Sequence, residues 1–207
     1  MSPVALIAVA VILPALVVAG VVWWGKRMRQ RGGSDSPSPR SPGGFFATAR
    51  GIALASDLSA LGSSTLISVF AGIGVLAFVA AGYLIDAITL GGGALVAGLA
   101  GVELKRVTGR ARPKDPSSTH FGSSFPSSHT LMATTFYALA TALLVPFVPA
   151  MPIRIVIIVA TAAILVAVGV SRVLLRVHFP SDVYAGALCG LTFSVSALLF
   201  RYAASDL

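Results

Sequence analysis

Between two apolar runs, 155–170 and 183–200, the chain reads Ser171-Arg172-Val173-Leu174-Leu175-Arg176-Val177-His178-Phe179-Pro180-Ser181-Asp182. A bilayer core about 30 Å thick is crossed by roughly 17–25 apolar residues in a helix, so this stretch reads as the polar bend between two membrane spans. Four similar runs precede it, at 4–24, 58–84, 87–102 and 131–150. The runs at 87–102 and 155–170 are slightly short and need flanking polar residues to reach the interface. None alternates as a barrel strand does, and all are rich in Ala, Leu and Gly. The chain is 56% hydrophobic and only 11% charged over 207 residues, which leaves too little polar surface for a soluble domain of that size. The predicted fold class is all-α: a polytopic membrane protein, a six-transmembrane-helix bundle forming a single domain over 1–207.

The first run ends in Trp23, Trp24, Lys26 and Arg27 and has no basic segment ahead of it. That is the pattern of an interfacially anchored span rather than a cleaved signal. Residues 25–43, rich in Arg, Ser, Pro and Gly, are predicted to be a flexible polar connector. Residues 45–57 follow, with Phe45, Phe46, Ile52 and Leu54 set against Arg50 and Asp57, and suit a short helix in the headgroup zone. Asp86 marks a tight turn, and 146–152 is a second one. A lone cysteine, Cys189, allows no intrachain disulfide. Nucleic acid is excluded as a partner because the Lys and Arg cluster at helix ends without an aromatic-interleaved basic face; oligomeric state is left open.

If every run spans, three polar segments share one membrane face: 25–57, 105–128 and 171–182. The chemistry collects there. Lys105 and Arg112 are seven residues apart, two helical turns, although Gly109 and Pro113 suggest that the helix unwinds between them. A guanidinium suits two phosphate oxygens at once and a lysine acts as a mobile point charge; the alternative is that both merely anchor a helix end. Arg106, Arg110 and Lys114 are read as such anchors. Pro126-Ser127-Ser128-His129 opens the fourth run. Either it is an ordinary cap, or its free N–H groups and the Ser127 hydroxyl receive an anion and His129 exchanges a proton with a leaving oxygen. Asp182 is spaced to reach back to His178, fixing one imidazole nitrogen and freeing the other as a nucleophile; the alternative is a carboxylate favouring a helix N-terminus. Arg172 is a third cation for the same anion, or a structural ion pair with Glu103 or Asp182. His120, His129 and His178 are too irregularly spaced for a local zinc site, so metal and cofactors are both read as none. Fixed cations would then stabilise the equatorial oxygens of a transferring phosphoryl group.

Lys105-x6-Arg112-Pro113, Pro126-Ser127-Ser128-His129 and Ser171-Arg172-x5-His178-x3-Asp182 together resemble the signature of the type 2 phosphatidic acid phosphatase superfamily, in its bacterial membrane lipid phosphatase branch. The likeness covers a phosphatase core of roughly 57–193. It implies that His178 attacks phosphorus to form a phosphohistidine, that Asp182 orients it, and that His129 protonates the departing oxygen and then helps activate water. It further implies that Lys105, Arg112, Ser127, Ser128 and Arg172 hold the phosphoryl oxygens without a metal. Ser128 stands in place of the usual glycine, narrowing the backbone's approach to phosphate. Arg176 stands where bacterial relatives often have glycine.

All of the 15 Lys and Arg except Arg154 and Arg201 fall on the motif face. By the positive-inside rule that face is cytoplasmic, whereas the resemblance implies a site looking outward, so the side of the cell membrane stays open. With short loops, the expected partner is a lipid phosphate held in the bilayer: a polyprenyl diphosphate, phosphatidic acid, phosphatidylglycerol phosphate or a lipid A phosphate. Alternatives on the same scaffold are lipid phosphotransfer and a non-catalytic anion- or lipid-binding protein. A vanadate-type peroxidase is expected to be larger and soluble. An anion transporter predicts charges spread through the spans, not gathered at one face.

Overall fold

The computed structural model describes residues 2–30, 43–113 and 122–205. They form seven α-helices: α1 Pro3–Gln30, α2 Ala49–Ala60, α3 Ser64–Ala80, α4 Leu84–Thr108, α5 Ser128–Leu144, α6 Met151–Leu174 and α7 Pro180–Ser205, with short 3-10 turns at Gly44–Ala47 and Val145–Phe147. Five apolar stretches (α1, α4, α5 with the 3-10 turn that follows it, α6 and α7) are long enough to cross a membrane, and α2 with α3 forms a sixth apolar unit bent by 42°. The chain is a helical polytopic membrane protein. Its lipid-facing surface is carried by exposed side chains such as Ile12 and Leu16 of α1, and Ile155, Val159 and Val166 of α6.

Several helices overrun the apolar runs that announced them. The run at 87–102 becomes the 25-residue α4 and that at 155–170 the 24-residue α6, because polar ends such as Lys105 and Arg172 stay helical as they emerge. The connector expected from residue 25 begins later: α1 continues to Gln30. Lys26, Arg27, Met28, Arg29 and Gln30 are good helix formers, and Gly25 lies so close to the Phe125 ring that a Cβ there would stand 2.7 Å from Cδ1. Trp24 meets the same ring edge-on at 5.5 Å. Residues 31–42 of that connector, like His120 and Lys114, lie outside the described residues.

The predicted span at 58–84 narrows to α3. Ser63 caps it, its hydroxyl accepting from the Leu66 N–H at 3.3 Å. The short helix foreseen over 45–57 is α2, capped by Thr48 through the Gly51 N–H at 3.1 Å. Gly51, Ala55 and Ser59 form its buried face. Gly62 lies against Val168 and Ser59 against Arg172, so α2 climbs the last turn of α6 toward the motif face instead of prolonging α3. Asp86 is not the turn itself. That turn falls at Ala81-Gly82-Tyr83, where Gly82 takes φ +83. Asp86 sits in the first turn of α4, buried and paired with Arg201 at the far end of α7.

The bundle closes around α5, whose Leu131 and Leu139 are fully buried. Its closest partner is α7. Gly186 and Gly190, one turn apart, let the two backbones meet: a Cβ on Gly186 would lie 2.5 Å from the Ser127 carbonyl oxygen, and one on Gly190 2.7 Å from that of Leu131. Small residues at such spacing allow tight helix crossing in lipid, where apolar burial no longer drives association. Thr135 donates to the Gly190 carbonyl at 3.3 Å and Ser194 to that of Thr135 at 3.3 Å. Gly186→Val is therefore expected to cost about 1–3 kcal/mol by overpacking and to lower the thermal midpoint in detergent. Gly20→Ala on α1, where nothing lies within 4 Å of the added carbon, should not lower the midpoint, since alanine is the better helix former.

Candidate active site

Asp182 is the junction of the three motifs. Pro180 opens α7, which suits a residue without an N–H, and Asp182 folds back over that first turn, wholly buried. Its Oδ2 accepts the Phe179 N–H at 2.8 Å, its Oδ1 accepts Arg110 Nη1 at 2.6 Å, and its main-chain oxygen accepts the Ser127 N–H at 2.9 Å. His178 Nδ1 stands 3.5 Å from Oδ2, in electrostatic contact but beyond a well-formed hydrogen bond. The carboxylate thus serves the helix start and faces the imidazole at once; the two readings of Asp182 do not compete.

The His178 loop is wound onto the end of α6. The Arg172 carbonyl accepts both the Val177 and the His178 N–H at 3.3 Å, with Arg176 in the left-handed region at φ 56 closing the turn. Arg112 Nη1 donates to the Val177 carbonyl at 2.9 Å, tying the loop after α4 to the same turn. Arg172 is buried and donates to the Ser59 hydroxyl of α2. It pairs with neither Glu103 nor Asp182; Glu103 is taken by Arg106 at 2.8 Å on the surface. The helix carrying Lys105 ends at Thr108, with Gly109 at φ 61 as a left-handed cap. Lys105 therefore sits on the last helical turn and Arg112 in the loop beyond, both within Coulombic range of Asp182.

Ser127 is the N-cap residue of α5 and fully buried. Its oxygen accepts the Thr130 hydroxyl at 3.1 Å, which leaves its own proton to donate. Ser128 and His129 occupy the first turn, partly exposed. With Lys105 they form the polar mouth of a cavity of about 750 Å³ between α3, α4 and α5, lined deeper by Gly98, Leu99 and Val75. Gly62 is held against His129, where a Cβ would lie 2.9 Å from its carbonyl oxygen.

Arg110, expected from the sequence to anchor a helix end at the interface, is buried instead. Its side chain is 2% exposed and donates through Nη1 to Ser181 Oγ at 2.7 Å as well as to Asp182. Its Cζ lies 4.2 Å from the centre of the Phe179 ring. A surface anchor and a buried ligand of Asp182 look alike along the chain; only the turn at Gly109 directs this residue inward.

Burial holds the His178 imidazole down at about 4 instead of the ordinary 6.5. Arg172 and Arg112 oppose its proton further, while Asp182 works the other way. Arg112 is also pushed down, chiefly by burial. At neutral pH His178 is a free base. Among the described residues no three of His, Cys, Asp and Glu converge on one point.

This geometry defines a helical membrane bundle with Lys105, Arg112, Arg172, His129 and His178 gathered at one end. Residues 76–206 match the PAP2 superfamily, and the chain belongs to it. It is 36% identical over 107 residues to decaprenylphosphoryl-5-phosphoribose phosphatase of Mycobacterium tuberculosis, covering 49% of this chain and 54% of that one. It is 38% identical over 109 residues to lipid A 1-phosphatase of Rhizobium johnstonii, covering 47% and 41%. The chain thus aligns with about half the length of these curated relatives. The solved phosphatidylglycerolphosphate phosphatase of Bacillus subtilis superposes with a TM-score of 0.63 over 99% of this chain and 95% of its own, at 24% identity, a likeness of fold.

A histidine with a folded value near 4 stays uncharged down to about pH 5, whereas an unperturbed one is half protonated at 6.5. Nitrogen-15 NMR of histidine-labelled protein in micelles should show His178, assigned by its loss in His178→Ala, titrating well below pH 6.

Proposed function

We propose that this protein is a metal-independent phosphatase acting on a membrane lipid, and that it works through a phosphohistidine. The observation that carries the reading is the buried His178, its Nδ1 3.5 Å from the Asp182 carboxylate, with Arg112 and Arg172 close enough to act on its charge. The free nitrogen of His178 attacks phosphorus while the bond from phosphorus to the departing oxygen breaks. That oxygen takes a proton from His129. Water then gives a proton back to His129 and attacks phosphorus, the P–N bond breaks, and inorganic phosphate leaves. Lys105, Arg112, Arg172, Ser127 and the N–H groups at Ser128 and His129 hold the equatorial oxygens, supplying the charge stabilisation that a metal ion supplies in other phosphoryl transfers.

The substrate reaches these residues sideways, from the cell membrane. The cavity between α3, α4 and α5 runs from Lys105 and His129 down past Gly98 and Gly91, an apolar trough whose polar end carries Lys105, Ser128 and the proposed general acid His129. A phosphate on a hydrocarbon chain fits that division. The named activities of the relatives, on a decaprenyl-linked sugar phosphate, on lipid A and on phosphatidylglycerolphosphate, share this chemistry and set the panel to be tested.

Phosphate release from polyprenyl, phosphatidic acid, phosphatidylglycerolphosphate and lipid A substrates, in detergent with chelator, should persist in the wild type and vanish in His178→Ala. His129→Ala should lose about 10²–10⁴-fold, the usual span for a general acid. Equal release by wild type and His178→Ala, or abolition by chelator, would refute the mechanism. Filling the trough tests the route of the chain: Gly98→Phe should raise KM for long-chain lipid phosphates several-fold, while leaving a short-chain soluble phosphate unaffected.

A further inference from the structure

We propose that Arg110 is a positioning residue for this reaction, acting through Asp182 and not on phosphate; the proposal rests on the reading of His178 as nucleophile. Asp182 is one carboxylate amid several cations: Lys105 and Arg112 both feel its charge, and both are assigned above to the phosphoryl oxygens. Left to itself, such a carboxylate would swing toward one of them, cancelling a phosphate ligand and abandoning the imidazole. Arg110 prevents this. Its Nη1 takes Oδ1 at 2.6 Å and Ser181 Oγ at 2.7 Å, while the Phe179 N–H takes Oδ2 at 2.8 Å. The carboxylate is clamped on both oxygens with Oδ2 turned to His178 Nδ1.

The guanidinium is itself fixed. It lies over the Phe179 ring at 4.2 Å, a placement that favours a buried cation. Its main chain is pinned on both sides: the Arg110 N–H donates to Ser123 Oγ at 3.1 Å, and the Ser124 N–H donates to the Arg110 carbonyl at 2.8 Å. Through those serines Arg110 is tied to the strand of chain that enters Ser127. One buried cation therefore sets the position of the carboxylate and joins all three motifs. As phosphorus bonds to the imidazole, positive charge develops on the ring; a carboxylate already held 3.5 Å from Nδ1 is placed to stabilise it.

A double-mutant cycle tests this. Arg110→Gln should lower kcat roughly 10–100-fold, the range for groups that act by orienting a functional partner. Arg110→Lys, which keeps the charge, should recover part of the loss. In an Asp182→Asn background the same Arg110→Gln change should cost less than about threefold, since contributions made through a shared partner are not additive. A wild-type rate in Arg110→Gln, or an equal loss in both backgrounds, overturns the assignment, and the second result would mark Arg110 as a direct phosphate ligand. Should the glutamine variant not give monodisperse protein, the cycle is run with Arg110→Lys. There a loss of about threefold or more that disappears beside Asp182→Asn is expected, and no loss, or an additive one, overturns it. Full activity in His178→Ala would instead reject the phosphohistidine reading, a separate outcome.

Discussion

A single buried carboxylate holds the site together. Asp182 receives the Arg110 guanidinium from the loop after α4, the Phe179 N–H from the His178 loop and, on its main-chain oxygen, the Ser127 N–H at the head of α5. An isolated charge in this position would be costly, and removing one partner of a buried pair typically costs several kcal/mol. The pairing is therefore obligatory, and it is also what gathers segments more than fifty residues apart in the chain. Once Asp182 and Arg110 meet, the ends of α4, α5, α6 and α7 are fixed at one rim, where Lys105, Arg112 and Arg172 lie within electrostatic reach of one another.

The lipid surroundings explain why that rim is so heavily built. Inside the bilayer every backbone group is satisfied within its own helix, and helices associate through close packing, as Gly186 and Gly190 of α7 do against α5. Loops, caps and unpaired dipoles are confined to the ends. Chemistry that needs free N–H groups, guanidinium ions and an imidazole has no other place to go. The polar rim of helix ends and the apolar trough between α3, α4 and α5 are therefore neighbours, meeting at Lys105, Ser128 and His129.

The spans were legible because hydrophobic runs of the required length have few alternative fates. Their boundaries were less so. Lys105 and Arg172 remain helical although they are charged, since a helix end can project from the apolar layer, and hydropathy does not register the continuation. The 61–63 kink escaped notice because its cause, Gly62 pressed on the His129 backbone, is a contact across the bundle. The motif residues stood out by spacing and chemical type, and the structure draws them to one end; Arg110 did not, because a basic residue near a helix end is far more often an anchor. Ser59 was equally silent, a serine on a short helix whose value lies in meeting Arg172.

Taken alone, the order of residues determined an all-helical membrane bundle and the motif residues that gather at one end of it. These follow from local rules: the length of an apolar run, the residue that starts a helix, the number of turns between like groups. Tertiary structure alone decided which cation belongs to Asp182 and how deeply His178 is withdrawn from water. It also decided that α2 packs along α6 at an angle of 42° to α3. Those outcomes depend on distances between atoms far apart in the chain and on the loss of solvent around them, and neither quantity exists until the helices have packed.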